Sequence, residues 1–257
     1  MFSVTPIPAF QDNYIWALQG STPGEIAVVD PGDAAPVLTY LKENNLKLAA
    51  ILITHHHQDH TGGVKALLQA QDVPVFGPAN SPFQGITAPL EHNSEITLLG
   101  NRLRVNAVPA HTLDHISYFQ PDDQPQLFCG DTLFLAGCGR LFEGTAEQLL
   151  AAMNYFKSLP AQTRVYCTHE YSLANLRFAA AVEPDNQQIQ ETTQRCQTLR
   201  EQGTPTLPSS LDQELKINPF MRSTEASVAT AAEQHSGNAL ASEVEVLAAL
   251  RSWKDQF

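Results

Sequence analysis

This 257-residue sequence predicts an α/β fold, with a sheet-rich region followed by a helical one. Two patterns carry that expectation. Short apolar or β-branched runs alternate with turn clusters up to about residue 170, and after Tyr171 the strand signals give way to longer segments of helical character. A third observation points to function: metal-type donors stand directly after several of the apolar runs.

Taken in order, the first run, 26–29, is Ile-Ala-Val-Val and leads into the turn Val29-Asp30-Pro31-Gly32. Residues 50–53, Ala-Ile-Leu-Ile, are uninterrupted hydrophobics, as a buried strand requires. Further strands are expected at 103–108, 116–119, 126–129 and 164–167. Helices at 35–43, 63–70 and 146–157 would cover the sheets, the last begun by Thr145 and Glu147 and stopped before Pro160. Beyond them, 173–182, 186–201, 225–234 and 242–253 read as helices separated by Gly and Pro breaks. The expected division is therefore 1–172 for the sheet-rich region and 173–257 for the helical one, with no internal repeat or low-complexity linker.

Composition narrows the function classes. With 43% hydrophobic residues the chain can bury one large core, or one core plus a helical appendage. A formal charge of −12 disfavours general attraction to nucleic acid, although a local basic patch still suits a small anion. Met1-Phe2-Ser3-Val4-Thr5-Pro6 joins no basic stretch to an apolar core, and no run approaches the ~18 apolar residues of a membrane span. A cytoplasmic protein with no membrane partner is expected, in keeping with four cysteines, Cys129, Cys138, Cys167 and Cys196, that show no paired spacing.

Residues 54–60 read Thr-His-His-His-Gln-Asp-His, which contains the spacing H-x-H-x-D-H at His55, His57, Asp59 and His60. Imidazole and carboxylate are the donors that hold divalent transition metals. Three more donors follow apolar runs: His111, Asp131 and His169. Each alone has a structural reading, as a loop cap, a turn residue after Gly130 or a hydrogen-bonding histidine. Together the seven suit two four-coordinate ions if one carboxylate is shared.

At this point the chain resembles the metallo-β-lactamase superfamily and, within it, the glyoxalase II group, the hydroxyacylglutathione hydrolases. The resemblance rests on Ile7-Pro8-Ala9-Phe10, Asp12-Asn13-Tyr14, Val29-Asp30-Pro31-Gly32 and the Thr54 to His60 motif. It continues through His111-Thr112, Phe128-Cys129-Gly130-Asp131-Thr132-Leu133-Phe134, Gly137-Cys138-Gly139-Arg140-Leu141-Phe142-Glu143-Gly144 and Thr168-His169-Glu170-Tyr171, and ends at Leu250-Arg251-Ser252-Trp253-Lys254-Asp255-Gln256-Phe257. It implies a four-layer αβ/βα metallo-β-lactamase fold with a C-terminal α-helical, glutathione-binding domain. It also implies that His55, His57 and His111 hold one metal, and Asp59, His60 and His169 a second, with Asp131 between them. Zinc is the expected metal, iron and manganese being admissible for such donors.

The implied reaction is hydrolysis of S-(2-hydroxyacyl)glutathione, typically S-D-lactoylglutathione, to glutathione and D-lactate in methylglyoxal detoxification. A hydroxide between the metals would attack the thioester carbonyl, with Asp131 bridging and Asp59 a candidate proton acceptor. A thiolate, with a thiol pKa near ~8.5, leaves without needing a dedicated protein acid. Arg251 and Lys254, three apart on a predicted helix, look like the family's clamp for glutathione carboxylates; the resemblance adds Arg140 as a basic residue, Tyr171 as a hydroxyl and Phe142 as further substrate-binding positions. Asp30 is a candidate acceptor for a ligand histidine.

Two departures stand out. Phe142 takes the place of a tyrosine found in some members, and Asp114 stands where the family often has glycine, leaving the roles of His56 and His115 open. Competing readings are a mononuclear-iron glutathione persulfide dioxygenase, a nuclease or β-lactamase of the same superfamily, and a non-catalytic metal-binding protein. Oligomeric state is left open, with a monomer as the working expectation.

Overall fold

The most apolar run of the sequence lies at the centre of a six-stranded sheet. Its strands are β1 (Ser3–Ala9), β2 (Asn13–Gln19), β3 (Glu25–Val29), β4 (Lys47–Leu52), β5 (Val75–Pro78) and β6 (Ala88–Leu90), neighbours in that order. β1, β2 and β3 are antiparallel, whereas β3 through β6 run parallel. Parallel neighbours need a crossover, and between β3 and β4 it is the helix α1 (Ala34–Glu43), whose Asp33 side chain accepts from the Ala35 amide at 2.9 Å. Val37 and Leu41 of α1 pack with Leu67 of α3 (Val64–Ala70) against Ile15, Val28, Ile51 and Val75 of the sheet. Between β4 and α3 the chain makes the four-residue helix α2 (Gln58–Thr61).

All 257 residues are described in this computed structural model, and they pack as two units. The first comprises Met1–Val108 and Asp114–Gly130. Besides the sheet above it holds the antiparallel strands β7 (Glu95–Leu98), β8 (Asn101–Ala107), β9 (Ile116–Gln120) and β10 (Gln126–Gly130). β8 alternates buried and exposed, with Arg102 and Arg104 outward, while β9 and β10 are buried throughout. The strands β1 and β2 had no place among the expected ones. β1 carries Pro6 and Pro8, which cannot donate to a ladder and are tolerated because β1 is an edge strand paired only with β2.

The second unit comprises Pro109–Leu113 and Asp131–Phe257, so the compositional change at 172/173 falls inside it. It begins with a ribbon of β11 (Leu133–Phe134) and β12 (Gly137–Cys138). There follow α4 (Ala146–Ser158), β13 (Arg164–Cys167), α5 (Ser172–Val182), α6 (Gln187–Glu201), β14 (Ser209–Ser210), α7 (Leu211–Ile217), α8 (Ala226–Ser236) and α9 (Glu243–Gln256). The cap of α4 uses Thr145 as expected. Its reciprocal partner is Gln148, whose side chain accepts from the Thr145 amide at 2.9 Å, while the Thr145 hydroxyl accepts from the Gln148 amide at 3.3 Å.

Three buried polar side chains hold the β11–β12 turn. Glu214 accepts from the Ala136 amide at 2.8 Å, Asn218 donates to the carbonyls of Phe134 and Gly137 at 3.2 and 2.9 Å, and Asn175 donates to the Leu135 carbonyl at 3.1 Å. Ala136 sits at φ +54°, a left-handed conformation that a side chain resists and that this clamp offsets. Burial pushes the Glu214 carboxyl up to about 7, against the opposing pull of hydrogen bonds from Ser209, Ala136 and Asn218. Because the folded state binds this proton more tightly than the unfolded chain, the associated stability is complete below the ordinary glutamate range and is lost as pH rises through about 7. In denaturant titrations of metal-free protein, the stability difference between pH 5 and pH 8 is therefore expected to shrink in Glu214→Gln, by about 3 kcal/mol at most. An unchanged pH dependence would contradict the protonated reading of Glu214.

Candidate metal centre

The first unit supplies its donors from the loop that leaves β4. Asp30, at φ +53° and 1% exposed, turns its carboxylate into this loop. One oxygen accepts from the Thr54 amide at 2.8 Å, and the other accepts from the Thr54 hydroxyl at 2.7 Å and lies 3.0 Å from His60 Nδ1. That contact leaves His60 Nε2 as the ligand atom, 3.6 Å from Asp59 Oδ2. His55 is arranged likewise, with Nδ1 3.0 Å from the Thr54 hydroxyl and Nε2 3.1 Å from His57 Nδ1. Asn13 donates to Asp59 Oδ2 at 3.2 Å. Gly32 is required where it stands, because a Cβ there would lie 1.9 Å from the Asp59 carbonyl oxygen.

The second unit supplies a matching set around Asp131. Its Oδ2 lies 3.6 Å from His111 Nε2 and 3.2 Å from His169 Nε2, so a single carboxylate oxygen stands near two imidazoles. His111 Nδ1 is 2.8 Å from the Arg140 carbonyl, which again leaves Nε2 as the ligand atom. Gly139 permits this approach, since a Cβ would fall 2.1 Å from the Asp131 carbonyl oxygen. Tyr171 stacks on the His169 ring at 4.6 Å and 5°, and Phe142, 62% exposed, meets His111 edge-on at 5.2 Å.

The donor separations test whether a metal suits these residues. Around a tetrahedral ion with bonds of about 2.0–2.1 Å, neighbouring donor atoms lie roughly 3.3–3.4 Å apart. The pairs His55–His57, His60–Asp59, His169–Asp131 and His111–Asp131 measure 3.1, 3.6, 3.2 and 3.6 Å. With the Nδ1 atoms of His55, His60 and His111 engaged elsewhere, these residues fit divalent ions, and the His and Asp clusters support a dinuclear site.

His56 and Asp114, left open by sequence reading, turn out to be partners. His56 Nδ1 lies 2.9 Å from Asp114 Oδ1, and Ser81 donates to Asp114 Oδ2 at 2.7 Å. Asp114 thus ties the middle histidine of the triplet to the loop after β5. His115 is wholly buried and stacks on His55 at 4.6 Å. Gly130 makes room for it, because a Cβ there would meet the His115 ring at 2.8 Å.

The basic residues are less simple than their spacing implies. Arg251 is 5% exposed, and donates to the Cys138 carbonyl at 2.8 Å and to Asp255 at 2.9 Å, with its guanidinium 5.3 Å from the Phe220 ring. Lys254 has its ammonium 5.3 Å from the Phe178 ring, and burial followed by repulsion from Arg251 lowers it to about 8. Arg140 is exposed and pairs with Asp255 at 3.5 Å. Sequence reading overlooked Asn13, Ser81 and Asp255. Asn13 lies in the Asp-Asn-Tyr segment and Asp255 one helical turn beyond Arg251, but Ser81 carries no local signal because its partner is 33 residues away.

Comparison with known proteins agrees with this chemistry. Residues 10–169 match the model of the metallo-beta-lactamase superfamily, and residues 170–257 match hydroxyacylglutathione hydrolase C-terminus. Hydroxyacylglutathione hydrolases of Hahella chejuensis and Pseudomonas aeruginosa are 49% and 50% identical, each over the full length of both chains. Among solved structures, BLEG-1 B3 metallo-beta-lactamase is 24% identical with TM-score 0.63, covering 86% of this chain and 99% of its own. ETHE1 from Myxococcus xanthus is 22% identical with TM-score 0.64, covering 99% and 98%. These two establish the α/β metallo-β-lactamase fold. With one superfamily model over the metal-donor segments, a second over the C-terminal helices and end-to-end identity near one half, the chain belongs to the hydroxyacylglutathione hydrolase family of the metallo-β-lactamase superfamily.

Proposed function

We propose that this chain hydrolyses S-(2-hydroxyacyl)glutathione thioesters, S-D-lactoylglutathione in particular, to glutathione and a 2-hydroxy acid. The observation that carries this reading is Asp131, whose one carboxylate oxygen faces both His111 and His169 in a chain matched throughout by hydroxyacylglutathione hydrolases. His55, His57 and His111 would hold one divalent ion and Asp59, His60 and His169 the other, with Asp131 shared and zinc as the occupant. Such a pair lowers the pKa of water from 15.7 to about 7 and polarises a carbonyl oxygen.

The rest falls to the chain's own groups. Asp30, Thr54 and the Arg140 carbonyl hold His60, His55 and His111 in one tautomer each. Asp59, whose Oδ2 accepts from Asn13, would take a proton. The rings of Phe142 and Tyr171 flank the Asp131 donors and present apolar walls to the acyl group. Residues 1–172 supply the metal-binding side chains, while 173–257 contribute Arg251 and Lys254 to a basic cluster with Arg140 for the glutathione carboxylates. The reaction takes place in a reducing cytoplasm, in keeping with four buried free thiols, and the working species is a monomer.

The test is S-D-lactoylglutathione hydrolysis, read as thioester loss and free thiol, with metal content measured on the same protein. Turnover near two metals per chain that collapses in Asp131→Asn is expected; two bound metals without turnover would exclude the assignment. Lys254→Ala is expected to raise KM with little change in Tm. Arg251→Ala should raise KM and lower Tm as well, since it strips the buried Cys138 carbonyl of its donor, at a cost of about 1–3 kcal/mol. With Lys254 lowered to about 8, affinity for S-methylglutathione should weaken as pH rises from 7 to 9. Lys254→Arg, which stays charged, should flatten that decline, and a profile identical to the parent's would remove Lys254 from the binding cluster.

A further inference from the structure

Resting on the glutathione-thioester reading, the geometry points to Asp255 as an internal counter-carboxylate that sets how tightly the basic cluster binds a substrate carboxylate. Asp255 lies in the last turn of α9 with its Oδ1 2.9 Å from Arg251 and 3.5 Å from Arg140 Nε. Arg251, Arg177 and Asp255 all act on Lys254 through their charges, so one carboxylate answers several cations in one locality. A chain of net charge −12 that binds a tripeptide carrying two carboxylates needs such a cluster. Left unneutralised, the same cluster repels itself.

The decisive question is whether Asp255 orients the arginines or only balances their charge. Arg251 does not depend on it for position, because its other terminal nitrogen is anchored on the Cys138 carbonyl at 2.8 Å and its side chain is buried. Arg140 is 62% exposed at the side chain and meets Asp255 through Nε at 3.5 Å, longer than a directed charge-assisted hydrogen bond. A strong arginine–carboxylate pair is a two-pronged fork, and this is not one. Asp255 therefore supplies charge without fixing Arg140. Its effect is to occupy, in the free protein, part of the positive potential that a substrate carboxylate would meet. The incoming carboxylate competes with Asp255 for Arg140, which exchanges one anionic partner for another. Asp255 is thus a specificity-determining residue: it lowers affinity for anionic ligands at large and leaves binding to those that bring more than one point of contact.

The test compares the full-length protein with Asp255→Asn, which keeps an oxygen to accept from Arg251. S-Methylglutathione binding by calorimetry and S-D-lactoylglutathione kinetics are measured at low salt and near 1 M salt. At low salt the variant is expected to bind about two- to fivefold more tightly, with KM lowered by the same factor and kcat unchanged, and the gap should close at high salt. In an Arg140→Gln background the gain should shrink. Weaker or unchanged binding in a folded Asp255→Asn protein would overturn the proposal, the former identifying a positioning residue instead. Asp255→Ser, which retains a hydroxyl acceptor, serves as the second variant if asparagine disturbs the helix end. Failure of the parent protein to bind S-methylglutathione or to turn over the thioester would overturn the glutathione reading itself, an outcome separate from any effect of Asp255.

Discussion

The Asp30 carboxylate is the constraint on which the first donor set depends. It sits in a left-handed turn at the end of β3, wholly buried, and spends its oxygens on the Thr54 amide, the Thr54 hydroxyl and the neighbourhood of His60 Nδ1. A carboxyl group is stable in such a place only if hydrogen-bond partners surround it. The Thr54 hydroxyl passes the constraint on to His55 Nδ1. One buried carboxyl group therefore sets the ring orientation of His60 directly and of His55 through Thr54.

The second donor set is stabilised differently, by backbone groups instead of a buried charge. The Arg140 carbonyl orients His111, and Arg140 follows directly on the ribbon that Glu214, Asn218 and Asn175 clamp from the helical side. Arg251 fastens the far end of the same ribbon at the Cys138 carbonyl. The helical side that carries Arg251 and Lys254 thus also bears on the position of His111. Within this unit, the basic residues and His111 share the ribbon as a support, and a substitution there is felt by both.

Glycine marks the places where the polypeptide must come too close for a side chain. At Gly32, Gly130 and Gly139 a Cβ would collide with the Asp59 backbone, the Thr54 hydroxyl and the Asp131 backbone respectively, all of them beside donor residues. Two compact donor sets built on tight turns leave no room for alternatives there. Asp114 shows the opposite use of a turn position: a carboxylate engaged by His56 and Ser81.

Much of this protein was legible in the sequence. The run 50–53 is buried and central as its composition requires, the strands at 116–119, 126–129 and 164–167 and the helices after Tyr171 lie close to their expected positions, and the seven donors announce a metal chemistry through residue type and spacing. These features are local, and a sequence displays local order directly. What sequence could not show was set by partners distant along the chain. β1 and β2 form because an edge position excuses Pro6 and Pro8, and His56 is occupied by an aspartate 58 residues away. Arg251, paired by spacing with Lys254 on one helix face, is buried against a carbonyl 113 residues away, and Asp255 gains its place between two arginines only when α9 packs beside the β11–β12 ribbon. Residue type and period determined which groups could act, while burial and long-range hydrogen bonds decided which of them are held and which are left for a ligand, because desolvation acts on neighbours in space and not on neighbours in sequence.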